Sequence, residues 1–229
     1  MSMQYKLFML LLGCKPKGRN TEQHDIFFGI AAHLKALSGD IADFWPEVKG
    51  KIHIDAWREV NYVDGFKIEA KEKPSNEEAG GKEKLFFLNL GGYKKDDFEE
   101  YHYKILQVCG DKGAAIQRAK QTAFYQHTGF EGAVSHIDDK YGVDVDDIYE
   151  IADILPQKFK EQYSIIISKA DAIQHDELHL GYLTLEKLKG NIVSRSDHSR
   201  AAIKYKKNII PLREPRVKHC YLLFSFPSS

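Results

Sequence analysis

Lys84-Leu85-Phe86-Phe87-Leu88-Asn89-Leu90-Gly91 repeats Lys6-Leu7-Phe8-Met9-Leu10-Leu11-Leu12-Gly13 at six of eight positions. A match this long within one chain points to an internal copy, and the neighbouring residues extend it. Shifted by 78 residues, Glu22 falls on Glu100, His24 on His102, and Phe27, Phe28 and Ile30 on Ile105, Leu106 and Val108. Shifted by 83, His53-Ile54-Asp55 falls on His136-Ile137-Asp138, Asp64 on Asp147, Phe66 on Tyr149 and Ile68 on Ile151. The change of shift places five extra residues of the second copy in a connection, where insertions are tolerated.

The repeated octamer alternates too little for a half-exposed strand, which predicts a strand covered on both faces. Asn20 or Thr21 is placed to cap a following helix, in which Phe27, Ile30, Ala31 and Leu34 recur at helical spacing. Gly39 and Pro46 interrupt that stripe. Residues 51–58 alternate as a strand, with Ile52, Ile54 and Ala56 on one face, and residues 61–70 give another. In the second copy Asp96, Asp97, Glu99 and Glu100 crowd the expected helix start, and 144–155 reads as helical. Strands are expected at 163–168 and 178–185. The fold class this predicts is α/β (α+β): two pseudo-symmetric β-α-β-β-type repeats with a mixed sheet and helices packed on it. The expected division is a first repeat at 1–70, a charged, breaker-rich linker at 71–83, a second repeat with extra strands at 84–190, and a tail at 191–229.

Composition narrows the function classes. The 229 residues carry 33 basic and 33 acidic side chains, yet residues 195–218 hold eight of the former against two of the latter. A basic tail thus hides behind a neutral total, and a tail that folds back on the acidic body is the expectation that fits the usual behaviour of termini. Nucleic acid, through that tail only, is the alternative partner. No apolar run approaches the ~18 residues of a membrane span. The short apolar stretch before Cys14 is below the length of a signal peptide's core, and its recurrence mid-chain argues against one. Cys14, Cys109 and Cys220 form no CxxC pair, so a reducing, cytoplasmic setting is expected.

The strand ending at Gly13, then Glu22-Gln23-His24-Asp25, Ile52-His53-Ile54-Asp55 and Val63-Asp64-Gly65-Phe66, together resemble a bacterial family, the domain of unknown function 1543. The resemblance is strongest over 5–70 and extends to about 188. It implies one or two copies of the domain and no assigned activity. Tyr103 stands in place of Asp25 and Ile148 in place of Gly65, so the second copy departs from the pattern.

The recurring polar residues define the candidate site. His24, Asp25, His53, Asp55, Asp64, His102, His136 and Asp138 offer imidazole nitrogens and carboxylate oxygens, the donors of a divalent metal or of a base and its orienting partner. His-x-Asp on a strand puts both side chains on one face, although the same pairs can simply tie down a turn. Asp138, Asp139, Asp144, Asp146 and Asp147 add an acidic cluster that offers ligands to magnesium or calcium, without the spacing of an EF-hand. Lys15, Lys17 and Arg19, in a loop before the expected helix, are anion-binding candidates, but the phosphate-loop spacings are absent. Cys14 lacks a dedicated base. The expected function is a non-catalytic binding or interaction module, with a cleft between duplicated halves for a small ligand or protein partner. The alternative is a metal-dependent, hydrolase-like enzyme using His24, His53 and Asp55 with Asp64 or Asp25.

Overall fold

The computed structural model describes residues 4–48, 51–73, 81–93, 98–128 and 144–190. The expectations for His136, Asp138, Asp139 and the 191–229 tail lie outside those residues. Strand β1 (Lys6–Cys14) is the centre of a four-stranded sheet, flanked by β2 (Gln23–Ala31) and β3 (His53–Val60). Its side chains are buried on both faces, as its unbroken apolar run requires.

β2 corrects the helix expected there. Phe27, Phe28, Ile30 and Ala31 are all buried, so this strand too is covered on both sides. A continuous apolar run satisfies helical spacing by default, and aromatic and β-branched content decides for the strand. β1 and β2 form an antiparallel hairpin running from Lys6 opposite Ala31 to Cys14 opposite Gln23. The helical segment follows instead: a 3-10 turn at Leu34–Leu37, then α1 (Ser38–Phe44) and a second turn at Pro46–Val48. The unit is therefore β-β-α-β rather than β-α-β-β.

Strands β4 (Tyr62–Val63) and β5 (Phe66–Glu72) form a hairpin about Asp64-Gly65, where both residues have positive φ (55° and 79°). Next come β6 (Lys84–Tyr93), β7 (Glu100–Cys109), α2 (Lys112–Thr128) and β8 (Asp144–Glu150). β7 replaces the helix expected after Asp96, and β8 replaces the helical start of 144–155. Val145 and Ile148 are three apart yet both pack on the core, because one residue between them is bulged out of the ladder. That spacing imitates a helix. Only from Ile151 does helix begin, as α3 (Ile151–Ile154) and α4 (Gln157–Gln162). β9 (Tyr163–Lys169), β10 (His179–Thr184) and α5 (Leu185–Gly190) complete the described chain.

The sheet orders are β10-β3-β1-β2, β4-β5-β9 and β7-β6-β8. Every pairing is antiparallel, in place of the mixed sheet expected. The fold is thus mixed α+β. β6 divides its side chains: Leu85 and Phe87 join the main core with β1, β2 and β3, while Phe86, Leu88 and Leu90 pack with Ala115 and Ala119 of α2. Phe87 meets Phe28 edge-on at 5.6 Å, an arrangement that suits the ring quadrupoles. Among the described residues no helix is long and apolar enough to cross a membrane.

Two polar clasps fix the hairpin corners. Asp176 Oδ1 accepts from the amides of Asn61 (3.0 Å) and Tyr62 (3.1 Å), anchoring the segment before β10. Asp64 Oδ2 accepts from the Val108 amide at 3.0 Å, and its Oδ1 stands 2.8 Å from Arg118 Nη2. Asp64→Ala should cost about 2–3 kcal/mol in urea unfolding, mostly from the orphaned Val108 amide, since the Arg118 pair is half exposed. Asp64→Asn should cost less, because its amide oxygen still accepts and asparagine tolerates the positive φ. Tyr163, packed on Tyr5 at 4.7 Å, has its phenol pushed up to about 12 by burial and by hydrogen bonding to Tyr5. The folded state therefore holds that proton more tightly than an unfolded phenol of about 10, and stability should fall between about pH 10 and 12. Paired ultraviolet titration and unfolding curves over that range check this.

Candidate functional site

At one end of the first sheet, three strands bring polar residues together over a glycine. Gly13 of β1 lies opposite His24 on β2 and opposite His53 on β3. The β1–β3 register then slips: Leu12 faces Ile54 and Leu11 faces Ala56, leaving Asp55 as the extra, bulged residue. A bulge re-aims its side chain, and here it sends the Asp55 carboxylate across Gly13. A Cβ on Gly13 would overlap Asp55 Oδ2 and would stand 2.5 Å from His53 Nε2. Glycine is required by close approach, not by φ.

Glu22, at the end of the β1–β2 loop, completes the group. Its Oε1 lies 2.9 Å from His53 Nε2 and its Oε2 3.9 Å from His24 Nε2. Asp55 Oδ1 lies 3.3 Å from His53 Nε2, and its Oδ2 3.4 Å from His24 Nε2. Each carboxylate thus spans the two imidazoles with different oxygens. His53 is only 5% exposed, with its ring against Tyr182 of β10 at 4.3 Å. Asp55 Oδ2 is shut off from solvent and accepts no hydrogen bond from the described residues. Such an oxygen is costly to leave unmatched, and a cation would match it.

The third sheet repeats this pattern. Gly91 of β6 faces His102 on β7 and Asp144 on β8. The β6–β8 register slips between Asn89 and Leu90, which face Asp147 and Val145, so Asp146 is bulged. Its Oδ2 would lie 2.5 Å from a Cβ on Gly91, and it stands 3.3 Å from His102 Nε2. Glu100, His102 and Asp146 present ligand atoms within 4.8 Å of one another, and all three are exposed. At the far ends of the same strands Lys6 pairs with Glu59 at 2.8 Å and Lys84 with Glu150 at 2.7 Å. The register therefore sets Asp144-Val145-Asp146 against β6 as His53-Ile54-Asp55 is set against β1, in place of the 136–138 triplet expected from sequence.

Of the residues expected at a site, His24, His53 and Asp55 converge, and His102 sits in the second group. Asp25 does not join: its Oδ1 accepts from the next amide, Ile26 N, at 2.7 Å. Asp64 is occupied by Val108 and Arg118. Lys15, Lys17 and Arg19 are exposed in the hairpin loop, and the element after it is a strand, so the helix dipole expected to aid an anion is absent. Burial, and then Glu22 beside it, push the Cys14 thiol above its ordinary value, the opposite of an activated nucleophile. Glu22, Glu100 and Tyr182 were not singled out as ligand candidates from sequence, and Asp146 was one of five in the acidic run 138–147. Glu22 and Glu100 carry a signal in the 78-residue shift, whereas Asp146 depends on the bulge.

Residues 19–70 match the family model described as Domain of Unknown Function (DUF1543). That span runs from the β1–β2 loop into β5 and includes Glu22, His24, His53 and Asp55. No curated protein matches the chain. The crystal structure of a protein Il1583 from Idiomarina loihiensis is similar at 22% identity and a TM-score of 0.52, covering 79% of this chain and 98% of that one. At this identity the likeness concerns the fold.

The crossing of aspartate over glycine can be measured. Gly13→Ala should lower stability by about 1–3 kcal/mol, the usual range for overpacking, and Gly91→Ala by less, because the exposed Asp146 carboxylate can swing aside. In an Asp146→Ala background the cost of Gly91→Ala should largely vanish, because the three nearest atoms to a new Cβ all belong to that carboxylate. In an Asp55→Ala background Gly13→Ala should remain costly, since His53 Nε2 stays in the way. Urea-unfolding double-mutant cycles separate the two cases.

Proposed function

We propose that this chain is a divalent-cation-binding protein built from two copies of one β-β-α-β unit, joined across 71–83, with a cation held where each bulged aspartate crosses its glycine. The observation that carries the reading is the recurrence of the same chemistry at the same register. A glutamate before the second strand, a histidine opposite the glycine and a bulged aspartate occur as Glu22, His24, Asp55 and as Glu100, His102, Asp146. Sheet closure alone does not call for imidazole and carboxylate at these positions.

Geometry supports the first group as a cation cage. In a tetrahedral complex with bonds of about 2.1 Å, neighbouring donors stand roughly 3.4 Å apart. The four imidazole–carboxylate separations in the first group run from 2.9 to 3.9 Å. The ligand then sits at the ends of the hairpins, not in a groove between halves. We place the protein in a reducing, cytoplasmic setting, which suits its buried free thiols Cys14 and Cys109. The hydrolytic alternative loses the support of Asp64 and Asp25, which are directed elsewhere.

Titration of metal-stripped protein with zinc chloride, followed by calorimetry and by elemental analysis after gel filtration, tests the reading. Stoichiometric binding is expected, weakened at least about tenfold by His53→Ala or His24→Ala, as ligand loss exceeds second-shell effects of that size. Absence of stoichiometric zinc and manganese, or binding untouched by these substitutions, would show that the clusters only tie the strands together.

A further inference from the structure

We infer that the two clusters discriminate between cations: the first favours nitrogen-preferring ions of the zinc class, the second oxygen-preferring ions of the manganese and magnesium class. This inference rests on the cation-binding reading above and adds selectivity to it.

The donor sets differ at one register position. Opposite Gly13 stands His53, while opposite Gly91 stands Asp144. The first cluster therefore has two imidazoles and two carboxylates, from His24, His53, Glu22 and Asp55. The second has a single imidazole, from His102, with Glu100 and Asp146. Imidazole suits zinc and its neighbours, whereas carboxylate and water suit manganese and magnesium.

The fixing of one donor reinforces the contrast. His53 is 5% exposed and backed by Tyr182, which holds its nitrogen in place, while Glu22 and His24 are open to solvent like the second cluster. A fixed imidazole nitrogen beside a second imidazole suits an ion that prefers nitrogen donors. The second cluster is exposed on all three residues, which lets a hard ion keep several waters, as magnesium in particular prefers. Zinc outranks manganese at almost any such site, so discrimination appears as the ratio of the two affinities and not as absolute choice.

Single-site variants of the full chain read out that ratio. His102→Ala leaves the first cluster to be titrated alone, and His24→Ala combined with His53→Ala leaves the second. Manganese binding is followed by electron paramagnetic resonance and zinc by competition. The zinc-to-manganese affinity ratio is expected to be at least about tenfold higher at the first cluster than at the second. His53→Asp, made in the His102→Ala chain, is expected to bring the first cluster's ratio down toward that of the second. Equal ratios at the two clusters, or a ratio unmoved by His53→Asp in a chain with native circular dichroism, would overturn the inference while leaving cation binding intact. Failure of both ions to bind either single-site variant and the unsubstituted chain would overturn the cation-binding reading itself. Should His53→Asp fail to fold, the comparison of the two single-site chains still decides.

Discussion

An aspartate displaced from its ladder and folded across a glycine is the constraint around which the polar ends of the β1 and β6 sheets are arranged. In a regular strand Asp55 would stand over its own position in the pleat. Because β3 carries one residue more than β1 between Ile54 and Ala56, Asp55 has no partner and its carboxylate leans over Gly13. Only a residue without a Cβ leaves room for it. The same two features occur at Asp146 and Gly91. A bulge and a glycine on adjacent strands thus create a place where a carboxylate and an imidazole from the two strands flanking the glycine approach within 3.3–3.4 Å.

Such an irregularity weakens the ladder locally, so the rest of the fold must hold the strands in register. β1 and β6 do this by burying side chains on both faces, where a one-residue slip would exchange every contact. The charge pairs Lys6–Glu59 and Lys84–Glu150 sit at the opposite ends of the strands. Their half-exposed positions limit what they add to stability, but they disfavour any shifted pairing. Asp64 links the β4–β5 corner to β7 and α2 through an amide that would otherwise lack a partner. The residue that looked like a metal ligand in sequence is therefore a structural one.

Much of the fold could be read from the chain, and the failures have two physical sources. The repeated octamers are indeed two central strands, and β3, β9 and β10 lie where alternation placed them. β2 and β7 were read as helix starts because Phe27-Phe28 and Ile105-Leu106 belong to runs that fit helical spacing, and nothing local shows that a second layer covers the strand. β8 was misread because the bulge at Asp146 puts Val145 and Ile148 three residues apart. The bulge also explains the site. His24, His53 and Asp55 were legible as candidates, whereas their convergence with Glu22 depends on the hairpin, which the helix reading concealed. The His-Ile-Asp identity at 136–138 outweighed Asp144-Val145-Asp146, which shares only one residue with 53–55 but occupies the equivalent register.

That last comparison bears on how paired sites diverge under the duplication we propose. The facing glycine cannot gain a side chain while the bulged aspartate keeps its position, since the new Cβ collides with the carboxylate. The residue opposite the glycine on the third strand differs between the two sheets, His53 facing Gly13 and Asp144 facing Gly91 in the same register. Histidine and aspartate can therefore exchange there without dismantling the frame. Around His53 further contacts have accumulated: Tyr182 covers its ring, and Trp57 stacks on His179 at 3.8 Å one turn of the ladder away. β10 provides both of these partners by adding to the edge of β3, an addition with no counterpart on β8 among the described residues. The added strand is what covers His53, so the shielding of that one donor follows from topology and the difference in donors from a single position.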